Sequence, residues 1–518
     1  MKRKRRRKVL RGSASGSQQI IKLLKRQRKG SSDKLHSYNH EDRISQLPKD
    51  IQLFILSFLT IKEVAMTCFL STQWRDLGAS IPRLDFNASF FPINEGITHL
   101  PPYAREDYVR RVSKVIQSYK GQILEELRLE FCLTEKHKSF IDWCIEFALS
   151  KKVRKLDLDL NLPFGACNEI YEKHLIYMSI NNVILKDVDQ QKKYVFRVGA
   201  ASQAATHDIS SPVCRFESLT SLCLRSVRMT GDVLEGLLST CPILETLTLH
   251  HVYDLGCLKI AGHSLRLKHL EIMGCGELEK IELYDVVTIV SFVLYDERVR
   301  VHVLPGWSDK KFFLRNLPGL VDVSFSIISK LVDQFRMLSS LVSQLKHLKV
   351  AVYPGPLVDL DYPIVHKLIG LLELQVLWVS PPDQDLLKLV PLMGAAPYLE
   401  NITIRMIGRL SVEEWESREL KEAERRTNGL EHLKVLELAG YRRYPNEDDF
   451  ISYIITNATA LETIIIDPNY QSKPKCPINS YKKKSQLDEI HKVEGYVRQH
   501  AKEWLQGIIP PSIQLVIR

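Results

Sequence analysis

Residues 219–227, LTSLCLRSV, residues 244–252, LETLTLHHV, and residues 267–275, LKHLEIMGC, share one pattern: an aliphatic residue followed three and five positions later by further apolar ones. Successive side chains of a strand point to opposite faces, so this alternation is what a half-buried strand requires. The same Leu-x-x-Leu-x-Leu signature, with aliphatic or aromatic substitutes, begins at Leu124, Val153, Leu320, Leu345, Leu374, Leu399, Leu433 and Leu461. Many intervals are 23 to 29 residues, as from Leu219 to Leu244 to Leu267 and from Leu345 to Leu374 to Leu399. Periodic recurrence of this length marks stacked supersecondary units, in which each strand adds to one parallel sheet and a return segment closes the convex side. Eight residues after the first leucine, Cys132, Asn161, Cys275 and Asn469 can bond the turn backbone, whereas Val227, Val252 and Tyr441 take that place elsewhere. An irregular solenoid is expected.

Residues 41–82, EDRISQLPKDIQLFILSFLTIKEVAMTCFLSTQWRDLGASIP, follow a helical rather than a strand period. Pro48 suits a first helical position, which needs no N–H donor, and Asp50 lies beside the positive helix end. Ile51, Phe54, Ile55, Phe58 and Leu59 recur at steps of three and four, an apolar coverage too broad for one small partner surface. Thr60 and Glu63 have the spacing of a capping box and open a second helix carrying Val64, Ala65, Cys68 and Phe69. Ser71 can cap a third, holding Trp74 and Leu77, with Gly78 and Pro82 as stop signals. Three helices in so short a stretch form a very small core, which gains stability by burying its spare apolar face on a partner.

This order of Leu-Pro, apolar helix, acidic turn, Leu-Ser, Trp-Arg and Leu resembles an F-box. In that family the partner is the Skp-type adaptor of a cullin-RING ubiquitin ligase, and the family's contact positions fall on Leu47, Pro48, Ile51, Ile55, Leu59, Leu70 and Trp74. The departure is Thr72-Gln73, where relatives often carry a basic residue. The periodic units resemble leucine-rich repeats, and Cys241-Pro242-Ile243-Leu244-Glu245-Thr246-Leu247 resembles the C-P-x-L-E-x-L junction of plant F-box leucine-rich-repeat proteins. Residues 433–468, LKVLELAGYRRYPNEDDFISYIITNATALETIIIDP, resemble the FBD module of the same proteins; there Asn446 can cap a helix with Phe450, Ile451, Ile454 and Ile455 facing inward. The expected architecture is therefore α/β: a disordered basic tail (1–40), a three-helix F-box (41–82), a helical linker (83–122), a leucine-rich-repeat domain (123–430) and an FBD-like C-terminal module (431–518). Residues 162–215 fit the repeats poorly and are expected to hold a degenerate unit and a long loop around Gln190 to Ser211.

The net charge of +11 resolves by position, because residues 1–40 hold fourteen Lys or Arg and one Asp, leaving the other 478 residues at −2. The basic character belongs to the tail and says nothing about a nucleic-acid groove on the body. Lys2, Arg3, Lys4, Arg5, Arg6, Arg7 and Lys8 form a dense cluster, with Lys25 to Lys29 a second one, and the reading favoured is a nuclear-import signal over a merely solvated tail. Nuclear residence, with the cytoplasm also compatible, is the expectation. Phosphate or anionic-lipid binding by this tail ranks last. The longest apolar run, Val286 to Leu294, is interrupted by Thr288 and Ser291 and falls short of a membrane span. No apolar signal core follows the basic start, which argues against secretion, so Asn87, Asn401 and Asn457 in Asn-X-Ser/Thr triplets are chance matches. Ten cysteines without a Cys-x-x-Cys pair read as buried thiols rather than a zinc site or disulfide framework.

The sequence holds no phosphate-binding Gly-x-x-x-x-Gly-Lys-Ser/Thr, no Gly-x-Ser-x-Gly and no His-Glu-x-x-His. Gly274-Cys275-Gly276 reads as a turn after the Leu267 strand, His250-His251 as rim residues and Glu447-Asp448-Asp449 as helix-start acids, with no cofactor or metal implied. What the resemblance implies is a non-catalytic substrate-recognition subunit, docked on the Skp-type adaptor and through it on cullin and RING protein, with an unknown target held by the repeats. A non-degradative repeat scaffold, or a nuclear nucleic-acid-associated protein acting through the tail, are the alternatives.

Overall fold

Each short alternating stretch becomes a strand of a fourteen-stranded parallel sheet in the computed structural model. The structure describes residues 44–69, 71–87, 103–160, 216–295, 311–326, 338, 340–352, 368–379, 386–407, 430–442, 444–468 and 484–518. Residues 1–40 with the Lys2–Lys8 cluster, Leu70, Asn161, Asn469 and residues 162–215, where a loop is expected, lie outside them. In chain order the elements are α1 (Lys49–Leu56), α2 (Ile61–Thr67), α3 (Thr72–Gly78), β1 (Arg83–Phe86), α4 (Ala104–Ser118), β2 (Glu126–Glu130), α5 (Lys138–Ser150), β3 (Lys155–Asp159), β4 (Ser221–Arg225) and α6 (Gly231–Ser239). There follow β5 (Thr246–His250), β6 (Cys257–Ala261), β7 (His269–Met273), β8 (Lys280–Tyr284), β9 (Ser291–Tyr295), β10 (Lys311–Arg315), β11 (Asp322–Ser326), β12 (His347–Val352) and β13 (Glu373–Val379). The chain ends with α7 (Val390–Gly394), β14 (Asn401–Ile407), β15 (Val435–Ala439), α8 (Pro445–Asn457), β16 (Thr463–Asp467), α9 (Lys484–Ile508) and β17 (Gln514–Ile517).

Neighbouring strands in the large sheet pair in one register. Leu127, Leu156, Leu222, Leu247, Leu270 and Phe292 therefore lie side by side, and the row runs on through Val323, Leu348, Leu374, Ile402, Leu436 and Ile464. Each is at most 1% exposed, and all belong to one continuous core. Burying a Leu or Phe side chain contributes about 1.5–3 kcal/mol, so this row is a main source of cohesion between turns. No single turn could bury its own face.

Several sequence expectations need correction. Leu374 is not the first residue of its unit: it pairs with Leu348 inside β13, and Leu371 takes the leading place. The run Leu371-Leu372-Glu373-Leu374-Gln375-Val376 satisfies both frames, and only the register with β12 chooses between them. Ile289 leads an unanticipated unit, whose strand β9 sits between β7 and β11. Residues 83–122 are not simply a helical linker, since Arg83–Phe86 form the first strand of the sheet, parallel to β2, before α4. Asn446 is not the cap of α8: the helix begins at Pro445 and Tyr444 holds the cap position. Residues 431–518 contribute β15, β16 and β17 to the same sheet as the repeats.

The return segments of three central units are strands rather than helices. β6, β8 and β10 pair as a second, three-stranded parallel sheet, and Leu258, Ile260, Ile281, Leu283 and Leu314 point from it into the common core.

Strand ends share a device. Ser226 (φ 58°), His251 (φ 51°), Gly274 (φ 62°) and Gly440 (φ 83°) follow β4, β5, β7 and β15 in the left-handed region. Each turns its N–H onto the last carbonyl of the next strand: His250 at 2.9 Å, Met273 at 2.8 Å, Tyr295 at 2.7 Å and Asp467 at 2.7 Å respectively. At Gly440 a Cβ would collide with the Met406 carbonyl oxygen, so a side chain there meets neighbouring backbone.

Candidate functional site

The first surface belongs to the N-terminal helices. Ahead of α1, the buried Gln52 amide lies 2.8–3.1 Å from the carbonyl oxygens of Ile44, Ser45 and Leu47, which fixes the entry turn. Gln52 N–H donates to the Pro48 carbonyl at 3.0 Å, so the first helical hydrogen bond closes on the expected proline. The capping box forms as its spacing predicts: Thr60 N–H donates to Glu63 at 2.8 Å and Glu63 N–H to Thr60 Oγ1 at 3.3 Å. The Thr60 N–H, and the Thr60 hydroxyl donating to Glu63 Oε2 at 2.9 Å, hold the Glu63 carboxyl below its ordinary value. Ser71 Oγ accepts from Trp74 N–H at 3.2 Å and opens α3.

These caps fix helices whose apolar side chains face outward. Leu47, Ile51 (46% exposed) and Ile55 are exposed, as expected of contact residues, and Pro48 is exposed too. Larger exposed groups were not among the expected contacts: Phe54, Phe58 (72%), Met66 and Phe69 (83%), with the Phe54 and Phe58 rings edge to face at 4.9 Å. The four-residue spacing of Phe54 and Phe58 is the sequence signal for the first pair; Met66 carries none. Trp74 contradicts its assignment as a contact residue, because it is 7% exposed and packs in the core with Val64 and Leu77. Its indole supports the helices from beneath. Leu59 is half-buried against the same core.

The second surface is the open face of the large sheet, formed by the residues between the buried ones. At its N-terminal end charges interlock across strands. Arg128 lies 2.6 Å from Glu130, 3.5 Å from Asp157 and 4.0 Å from Asp85. Arg225 reaches Asp157 at 2.9 Å and Asp159 at 3.6 Å, and its Nε–H donates to His250 Nδ1 at 3.2 Å. A guanidinium can only donate, so His250 Nδ1 accepts and the ring proton sits on Nε2, 3.2 Å from Glu271 Oε1. That contact holds the Glu271 carboxyl below its ordinary value against the opposing effect of burial. Glu130 moves the other way, raised by burial and by Asp159, Asp85 and Asp157, with Arg128 offsetting part. His250, first read as a rim residue, is thus a link in a polar ladder.

The turn positions divide. Cys275 is buried with its thiol 3.6 Å from the Leu249 and Met273 carbonyl oxygens, as the repeat reading requires. Cys132 is also buried, but Arg105 donates to its sulfur at 3.3 Å and to its carbonyl oxygen at 2.6 Å. The acids at the start of α8 serve that helix: buried Glu447 accepts from the Arg442 and Tyr444 N–H groups at 2.9 and 3.0 Å. Among the described residues no group of three His, Cys, Asp or Glu side chains could hold a metal ion, and no helix is long and apolar enough to cross a membrane.

Comparison with known families gives the same two parts. Residues 115–518 match the family model described as At1g61320/AtMIF1, LRR domain, and residues 44–85 match the F-box domain. The chain belongs to the F-box/leucine-rich-repeat family. Similar proteins of Arabidopsis thaliana include F-box/LRR-repeat protein At3g26922, 26% identical over 61% of this chain and 91% of that protein. F-box/FBD/LRR-repeat protein At1g51370 is 24% identical over 85% of this chain and 92% of its own length. Putative FBD-associated F-box protein At5g56690 is 31% identical over 40% of this chain and 46% of the relative. F-box domains typically bind Skp-type adaptors, and the capped helices of this F-box/LRR protein lie within its F-box match while the repeat sheet lies largely within the LRR match.

Proposed function

We propose that this F-box/LRR protein is the substrate-recognition subunit of an SCF-type cullin-RING ubiquitin ligase. The observation that carries the reading is the outward display of Leu47, Ile51, Phe54, Ile55, Phe58 and Phe69 within the segment matched by the F-box. Exposed large apolar groups at this density favour burial on a partner. The Skp-type adaptor covers them and links the chain to cullin and RING protein; the open face of the repeats holds a target. The chain contributes proximity, raising the effective concentration of target lysines near a ubiquitin-conjugating enzyme held elsewhere, and needs no nucleophile of its own. The FBD-like reading of residues 431–518 and nuclear residence through Lys2 to Lys8 belong to the same proposal, with import tested by following a full-length fluorescent fusion and its Lys2–Lys8 alanine variant.

Co-purification with a Skp-type adaptor tests the reading. The parent should retain the adaptor, and a folded Leu47→Ala/Pro48→Ala/Ile51→Ala variant should lose it. A Phe58→Ala variant should weaken capture while leaving the fold unchanged, because its ring is mostly in solvent. A folded parent that captures no adaptor overturns the ligase reading and favours a free scaffold.

A further inference from the structure

Setting aside exposed Lys155, the cations of the open sheet face fall into two groups. Arg128 and Arg225 at one end, and Arg518 beside Glu437 at 2.7 Å at the other, are matched by carboxylates. Lys349 and Arg405 are not. Lys349 lies on β12 between buried Leu348 and Val350, and Arg405 on β14 between buried Ile404 and Met406, so both side chains leave the core on the open side. Both are half-buried. The strand neighbours of Lys349 are Ser324 and Gln375, and those of Arg405 are Leu377 and Ala439; none is an acid. Among the described residues neither makes an ion pair or a side-chain hydrogen bond. Glu373, on the intervening strand, already accepts from Gln375 at 2.8 Å.

Burial pushes the Lys349 ammonium down from its ordinary value, Arg405 pushes it further the same way, and Asp322 and Glu271 offset only part. Two half-buried like charges that make no ion pair among the described residues are a state that a bound anion stabilises. The planar guanidinium suits a two-oxygen acceptor, and Ser324, Gln375 and Thr403, in the same cross-strand row as Lys349, offer hydrogen bonds to an extended backbone.

We propose that Lys349 and Arg405 receive an Asp or Glu side chain on an extended segment of the target protein, an assignment that rests on the repeat domain being the target-binding part. The acidic end of the same face, with Asp85, Glu130, Asp157, Asp159 and Glu271 outnumbering Arg128 and Arg225, repels such a side chain and so sets where it lands.

Amine labelling of the full chain, read by peptide mapping, tests this at the site itself and separates it from the basic tail. A Glu-rich decapeptide should slow modification of Lys349 at least fivefold, and a Gln-rich decapeptide of equal length should leave it unchanged. Arg405→Met should abolish the protection and Arg405→Lys should restore part of it, while Lys346→Met, an equal charge change on the exposed rim, should leave Lys349 protected. Unchanged labelling with the Glu-rich peptide, or equal slowing by the Gln-rich one, overturns the proposal. Protection by inorganic phosphate at matched ionic strength without protection by the Glu-rich peptide also overturns it, in favour of a phosphate ligand. Adaptor capture is measured on the same preparations: its absence, with Lys349 still protected, sinks the ligase reading and leaves the acidic-segment site standing.

Discussion

Removing the Glu447 carboxylate should unfasten the start of α8. Its Oε2 accepts from the Arg442 N–H at 2.9 Å and the Tyr444 N–H at 3.0 Å, gathering the turn between β15 and the helix onto one atom. Hydrogen bonds to a charged acceptor contribute about 1.5–3 kcal/mol each. Arg442 and Glu447 are buried, so in Glu447→Ala the Arg442 amide loses its acceptor without gaining water, at about 2 kcal/mol. Tyr444 is only half-buried and water recovers part of its bond, leaving about 1 kcal/mol. The total of about 3 kcal/mol corresponds to roughly a hundredfold rise in local opening. Hydrogen exchange should therefore quicken about a hundredfold at Arg442 and Tyr444 while β5 amides keep the parental rate. Glu447→Gln retains an acceptor oxygen without the charge and should show about half the loss on a free-energy scale. Parental exchange at both amides in Glu447→Ala would refute the clasp.

Three further outcomes are expected. Gly440→Ala should cost about 1–2 kcal/mol for its left-handed backbone, and more because the new Cβ meets the Met406 carbonyl; a variant melting with the parent contradicts this. Glu271 has its folded pKa depressed, so its stabilisation is complete above the unfolded carboxylate value and disappears as pH falls through the folded one. The stability gap between parent and His250→Ala should accordingly narrow as pH drops from about 5 to about 3, and a constant gap excludes the His250 contact as the cause. Burial pushes the Cys144 and Cys223 thiols far up and Cys241 up to about 11, so at neutral pH iodoacetamide should modify half-exposed Cys68 and Cys257 before the other described cysteines; early labelling of Cys144 would mean that α5 opens readily.

The parts legible in the sequence are those written locally. Thr60 with Glu63, and Ser71 ahead of Trp74, announce helix starts because caps act over three residues. The repeats show because each strand carries its own alternation. Where neighbouring residues satisfy two frames, as at Leu371 and Leu374, local pattern fails and pairing with β12 decides. Val286 to Leu294 is apolar almost throughout, and that continuity masks the alternation of Ile289 and β9 within it. The five-residue strands β6, β8 and β10 also alternate, but a strand on the return side lay outside the expected unit. The polar ladder was out of reach altogether: Arg225 and Asp157 are 68 positions apart in the chain, and only stacking of separate turns makes them neighbours. Trp74 shows the converse limit, since the F-box pattern specifies an aromatic residue without saying whether it faces a partner or the core.

The uniform strand register also frees the chain's length from its recognition geometry. Asp157 and Cys223 stand on adjacent strands although a long stretch of sequence separates them, while Glu271 and Val293 are equally adjacent across a short one. Insertions and deletions in the return segments therefore need not move any residue of the open face by even one strand spacing. Evolution can change one turn's outer loop, or one side chain in a row, independently of the others. Such a surface diversifies position by position, as a set of interchangeable letters on a fixed line.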